Sequence, residues 1–152
     1  MTRMLQPRKR HFQSDPLMYS KNQLKWYFVH KGTVMLHLYG IPNCQTVKKA
    51  RVWLEENGIE YVFHNFKTEA PTTELLQSWL QTTSLESLVN KRGTTWRKLS
   101  EDEQAALQNP ETAMAVLIAN SSVIKRPVAV IPETPLILGF DIDTYTNAFV
   151  KS

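Results

Sequence analysis

The chain contains one cysteine, Cys44. It lies in the stretch Tyr39-Gly40-Ile41-Pro42-Asn43-Cys44-Gln45-Thr46-Val47-Lys48-Lys49-Ala50, which leaves an apolar strand, turns at Gly40 and Pro42, and enters a helical pattern. The first amides of a helix lack intrahelical partners and the dipole there is positive, so a thiolate at that point is favoured over a thiol. Cys44 is therefore the candidate nucleophile. Thr46, two residues on, can offer its hydroxyl or support the helix start, and Lys48, one turn on, adds a positive charge on the same face.

The elements that must carry this thiol follow from periodicity. Met35 to Tyr39 is apolar at nearly every position, as a buried strand is. Val47, Ala50, Trp53 and Leu54 fall at helical spacing between Cys44 and Asn57, and Gly58 supplies a left-handed stop. Glu60 to Phe66, rich in aromatic and β-branched residues, reads as a second strand, which completes a βαβ unit with parallel strands. After Pro71 the pattern turns helical: Thr72 or Thr73 caps a stripe of Leu75, Leu76, Trp79 and Leu80. Short helices then continue to Leu117, with Ser100 and Glu103 spaced as a capping box and Asn109-Pro110 opening the next helix. Between them, residues 90–98 read as a loop dense in donors. Val128 to Ile131 and Leu136 to Phe140, joined through Pro132 and Pro135, read as a β-hairpin, and Asp141 caps a last helix bearing Ile142, Tyr145, Ala148 and Phe149.

Composition limits the classes of function. A chain of 152 residues, 42% hydrophobic and 21% charged, is enough for one domain with its own core. No apolar run approaches the ~20 residues of a membrane span, so no membrane role is expected. One cysteine makes neither an intramolecular disulfide nor a multi-thiolate zinc site, so no metal is expected and a reducing cytoplasm fits best. The net charge of +4 belongs to the beginning of the chain. Residues 1–34 carry seven Lys/Arg against Asp15 alone, a net +6, whereas residues 35–152 carry eleven basic and thirteen acidic residues, a net −2. A body near neutrality gives no electrostatic reason to expect nucleic acid. Residues 1–34 are expected to be a poorly ordered basic leader, dispensable to a working domain of residues 35–152.

The order βαβ, helical insert, ββα is that of the thioredoxin fold, an α/β architecture with a four-stranded mixed sheet flanked by helices. Three separated motifs sharpen the likeness: the stretch around Cys44, Arg92-Gly93-Thr94-Thr95-Trp96-Arg97-Lys98-Leu99, and Ile124-Lys125-Arg126-Pro127-Val128. Over about residues 35–150 the chain resembles the arsenate reductase-like family of thioredoxin-fold proteins, and within it the bacterial branch described as glutathione-dependent thiol reductases. The resemblance implies that Pro127 is a cis-proline facing Cys44 and that Arg126, Arg92 and Arg97 line the cleft. Arginine's planar fork suits oxyanions and carboxylates.

These residues imply a thiol oxidoreductase with catalytic Cys44 and a substrate or glutathione site formed by Arg126, Pro127, Arg92, Arg97, Thr46 and Lys48. Val47 stands where a Cys-x-x-Cys pair would place its second thiol, so any disulfide on Cys44 has to be resolved from outside. The expectation is no tightly bound cofactor, glutathione as cosubstrate, and glutaredoxin as a further candidate partner. Two alternatives stand: arsenate reduction with glutathione and glutaredoxin, and a regulatory module like the family members that bind RNA polymerase. His37 and His64 are expected to be satisfied strand histidines.

Overall fold

The computed structural model describes residues 35–132 and 134–150; the expected leader lies outside the described residues. Strand β1 (Leu36–Gly40) runs into helix α1 (Gln45–Glu56), and strand β2 (Tyr61–Asn65) follows, parallel to β1 with Leu36 opposite Tyr61 and Gly40 opposite Asn65. Helix α1 ends as its glycine predicts. Gly58 sits at φ 67°, its amide donates to the Glu55 carbonyl, and the Ile59 amide donates to that of Leu54. This double closure satisfies two last-turn carbonyls, and Ile59 and Leu54 join the same apolar cluster.

The insert contains α2 (Thr73–Trp79), α3 (Leu85–Leu88), α4 (Thr94–Lys98), α5 (Glu101–Ala106) and α6 (Pro110–Ala119), followed by a 3₁₀ turn, Ser121–Val123. Side chains start most of these short helices. Thr72 Oγ1 accepts from the Leu75 amide, Ser84 from that of Ser87, and Asn109 from that of Glu111 ahead of the first-turn Pro110. The Ser100–Glu103 capping box is closed in both directions. One expectation is corrected here: residues 94–98 of the donor-rich stretch form the single turn of α4, and only residues 90–93 remain loop.

Strand β3 (Val128–Val130) pairs antiparallel with β1, and β4 (Ile137–Leu138) antiparallel with β3, so the sheet order is β2-β1-β3-β4. The hairpin is shorter than its apolar runs suggest. Pro132 and Pro135 have no amide to give to a ladder, and Gly139, at φ 78°, turns the chain out after two residues. Helix α7 (Ile142–Phe149) starts on Asp141, which accepts from the Thr144 amide.

Alternation along the strands divides the core between the two faces of the sheet. Leu36, Leu38, Ala129 and Ile131 join Ala50 and Leu54 of α1 and Tyr145 and Phe149 of α7. Tyr39 and Val128 face the insert, among Phe66, Leu76, Trp79, Leu88, Leu117 and Ile124. Each fully buried leucine is worth about 1.5–3 kcal/mol relative to exposure, and Leu36, Leu38, Leu54, Leu76, Leu88 and Leu117 are all at 0% exposure. The insert is also tied to the approach to β3. Val89 and Ile124 form an antiparallel bridge, the Lys125 amide donates to the Leu88 carbonyl, and the Asn90 amide to that of Val123. No described helix is long and apolar enough to cross a membrane.

Candidate active site

The turn that holds Cys44 is built from backbone. Gly40 leaves β1 where an added Cβ would stand 2.8 Å from Cγ2 of Val47, so α1 approaches β1 closely only because residue 40 has no side chain. The Cys44 amide donates to the Ile41 carbonyl at 3.2 Å, and the Cys44 carbonyl accepts the first helical bond, from Lys48, at 2.9 Å. Cys44 is thereby the extended N-cap residue of α1, half-buried against the insert side of the core.

Its electrostatics favour the anion. Burial alone pushes the Cys44 thiol up, but the Val47 amide, the Arg126 guanidinium and the Thr46 amide together outweigh it, and the thiol lies below its ordinary value. Sγ closes no capping hydrogen bond in the resting geometry. The surrounding donors therefore act as a field poised for charge, and they bind more strongly once the sulfur ionises.

Arg126 and Pro127 arrive from the far end of the chain. The Arg126–Pro127 peptide is cis, as the resemblance implied, and Pro127 is buried, its carbonyl accepting from the Gly139 amide at 2.8 Å. Nη1 of Arg126 donates to the Ser122 carbonyl in the 3₁₀ turn, which fixes the guanidinium. Its Nε is buried and has no hydrogen-bond partner among the described residues. A guanidinium fixed at one nitrogen and unmatched at another keeps donors for an anion beside the sulfur.

The other expected site residues divide. Thr46 contributes its amide to the sulfur, while its side chain is exposed. Lys48 is exposed and is not among the groups that shift the thiol; it lines a shallow groove with Lys49, Val52, Trp53, Phe140 and Ile142. Arg92 and Arg97 are exposed and bound to one another, Nη2 of Arg97 donating to the Arg92 carbonyl at 3.0 Å. Neither touches Cys44 among the described contacts. Trp96 of α4 packs on the core cluster that Cys44 also borders. Among the described residues no three His, Cys, Asp or Glu side chains are grouped to hold a metal.

The strand histidines are more than separately satisfied residues. His37 Nδ1 lies 2.8 Å from His64 Nε2, and His64 Nδ1 lies 3.2 Å from a carboxylate oxygen of Glu69. Sequence alone gives each histidine a strand position but not the register of β1 against β2 that brings the rings together.

Comparison with known proteins places the chain among relatives. Residues 39–148 match the model of the ArsC family. A Haemophilus influenzae protein described only as uncharacterized is 37% identical over 115 residues, which cover 76% of this chain and 99% of that protein. The global transcriptional regulator Spx of Listeria innocua is 30% identical over 112 residues, 72% of this chain and 82% of that one. Among solved structures, a protein named YFFB superposes with a TM-score of 0.71 at 37% identity, covering 76% of this chain and all of that one. An arsenate reductase-related protein from Brucella melitensis gives 0.59 at 40% identity, covering 77% and 96%.

Proposed function

The chain belongs to the ArsC family, with its arsenate reductase-related thioredoxin-like fold, and from that premise we propose that it is a glutathione-dependent thiol oxidoreductase with Cys44 as its single nucleophile. The observation that carries the proposal is the thiol itself: the only cysteine of the chain, at a helix N-cap, held below its ordinary pKa beside the guanidinium of Arg126.

The reaction runs in two exchanges. The Cys44 thiolate attacks the glutathionyl sulfur of a mixed disulfide; the Cys44–glutathione bond forms, the old sulfur–sulfur bond breaks, and the substrate leaves as a thiolate that takes a proton from solvent. A second glutathione, as thiolate, then attacks the glutathionyl sulfur on Cys44. Oxidised glutathione departs, and the Cys44 thiolate returns. No internal thiol competes for the adduct, because Val47 occupies the Cys-x-x-Cys position and is fully buried. The amides of Val47 and Thr46 and the guanidinium of Arg126 stabilise Cys44 as attacking and as leaving group. Arg126, with Arg92 of the loop before α4 and Arg97 of α4, also supplies cations for the carboxylates of glutathione. Localisation in the reducing cytoplasm fits this chemistry.

Two competing functions are tested alongside. An arginine beside a thiolate also suits arsenate, which Cys44 would attack before glutathione attacks the arsenic adduct. The relatives named global transcriptional regulator Spx are the ground for the other alternative, a regulatory module that binds RNA polymerase. Incubation with a glutathione mixed disulfide plus reduced glutathione, and separately with arsenate plus glutathione and glutaredoxin, separates the three. Turnover of a glutathione mixed disulfide supports the proposal, arsenite formation alone moves it to arsenate reduction, and neither turnover nor an adduct on Cys44 leaves the regulatory role.

A further inference from the structure

Two ring nitrogens 2.8 Å apart hold one hydrogen between them: with none their lone pairs repel, and with two their hydrogens do. His37 Nδ1 and His64 Nε2 stand at that distance. The other nitrogen of His64 faces Glu69, and an ionised carboxylate only accepts, so His64 Nδ1 carries a hydrogen throughout. In the neutral pair His64 Nε2 is therefore bare, and His37 Nδ1–H is the donor.

An added proton keeps both contacts when it goes to His37 Nε2, the ring nitrogen outside them. The Glu69 carboxylate then draws the hydrogen between the rings across to His64 Nε2, which donates to His37 Nδ1. The charge then rests on the ring that lies against the Glu69 carboxylate and is stacked with Tyr39, centroids 4.3 Å apart and planes 11° from parallel. A second proton, on His37, sets two N–H groups against each other and breaks the contact.

We infer that His37, His64 and Glu69 form a one-proton latch between β1 and β2, which stays closed while His64 takes up one proton and opens when His37 takes up a second. Several described residues face the pair. Tyr39 comes from β1 and Glu69 from the turn after β2; β3 places Val130 opposite His37 and Val128 opposite Tyr39, and α2 presents Trp79 edge-on to Tyr39. Burial, then the neighbouring His64, holds His37 below its ordinary pKa, in agreement with its staying neutral longest. The latch bears on the thiol turn through backbone. Asn65 is opposite Gly40, the Phe66 amide donates to the Gly40 carbonyl at 2.8 Å, and the Glu69 amide closes the following turn on the Asn65 carbonyl. This inference does not depend on glutathione being the substrate.

Ring ¹⁵N NMR of the full chain, titrated from about pH 8 to about pH 4, tests it. The first proton should leave the charge on His64, with His37 neutral as its hydrogen passes from Nδ1 to Nε2, and the ring-to-ring contact should break only at lower pH, when His37 becomes charged as well. Imidazolium formation on both rings with one midpoint, or first on His37, overturns the latch. So does a His37 that keeps its Nδ1 hydrogen after His64 has titrated.

Discussion

Cys44 owes its lowered pKa to groups that arrive from two directions, the amides of its own helix and the guanidinium of Arg126, 82 positions downstream in the sequence. The rate of Cys44 alkylation by iodoacetamide should therefore rise through a midpoint below that of an ordinary thiol, and Arg126→Ala should move that midpoint up. The same substitution should weaken glutathione binding by about 1.5–3 kcal/mol, the scale of a charged hydrogen bond; unchanged affinity by calorimetry removes Arg126 from the site. Tyr145 offers a contrasting test. Its hydroxyl is buried in the α7 core without a hydrogen-bond partner among the described residues, and burial drives its pKa far up. Tyr145→Phe removes a desolvated polar group at almost constant volume, so the urea midpoint should stay level or rise. Cys44, Arg126 and Pro127 were legible in the sequence because each is marked locally, by a strand-to-helix turn or by a proline before a strand. Arg92 and Arg97 were legible as cations but not as ligands, since their distance from the sulfur depends on how the insert folds. The histidine latch was not legible, because strand register is not written in either strand alone.

At the scale of elements, the site depends on the close approach of α1 to β1. Gly40→Ala should destabilise the domain and slow Cys44 alkylation, because the new methyl meets Cγ2 of Val47 at 2.8 Å. Pairing it with Val47→Ala should restore part of the alkylation rate. The capped helix starts make a separate prediction: Ser100→Ala opens the capping box of α5 and should cost about 1 kcal/mol in urea denaturation while leaving Cys44 reactivity unchanged. Helix α1, its Gly58 stop and the caps at Thr72, Ser100, Asn109 and Asp141 agreed with the sequence because these signals act within a few residues. The hairpin agreed in its antiparallel pairing but not in its length. Its strands are cut short by prolines without amides and by the turn at Gly139, which apolar content does not register. The single turn of α4 escaped for a related reason: its N-cap, Gly93, offers no side chain to accept a capping bond.

For the whole molecule, the two apolar clusters on opposite faces of the sheet hold α1 and α7 on one side and the insert on the other, so the thiol turn and the cis-proline meet where the two halves of the chain join. Stability should carry a pH dependence from the histidine pair. His37 has a lower pKa folded than unfolded, so the unfolded chain binds more protons in acid. The associated stability is complete above the ordinary histidine value of 6.5 and is lost as pH falls through the lower folded value. Urea midpoints should decline over that range, and less so in His37→Gln. The central claim is that Cys44 is a thiolate that takes glutathione and returns it to an external thiol. Intact-protein mass after exposure to oxidised glutathione at neutral pH tests this most directly. One glutathionyl group on Cys44, released by reduced glutathione and absent from Cys44→Ser, is the predicted result. A folded protein that takes up no glutathione while the unfolded chain does would contradict it.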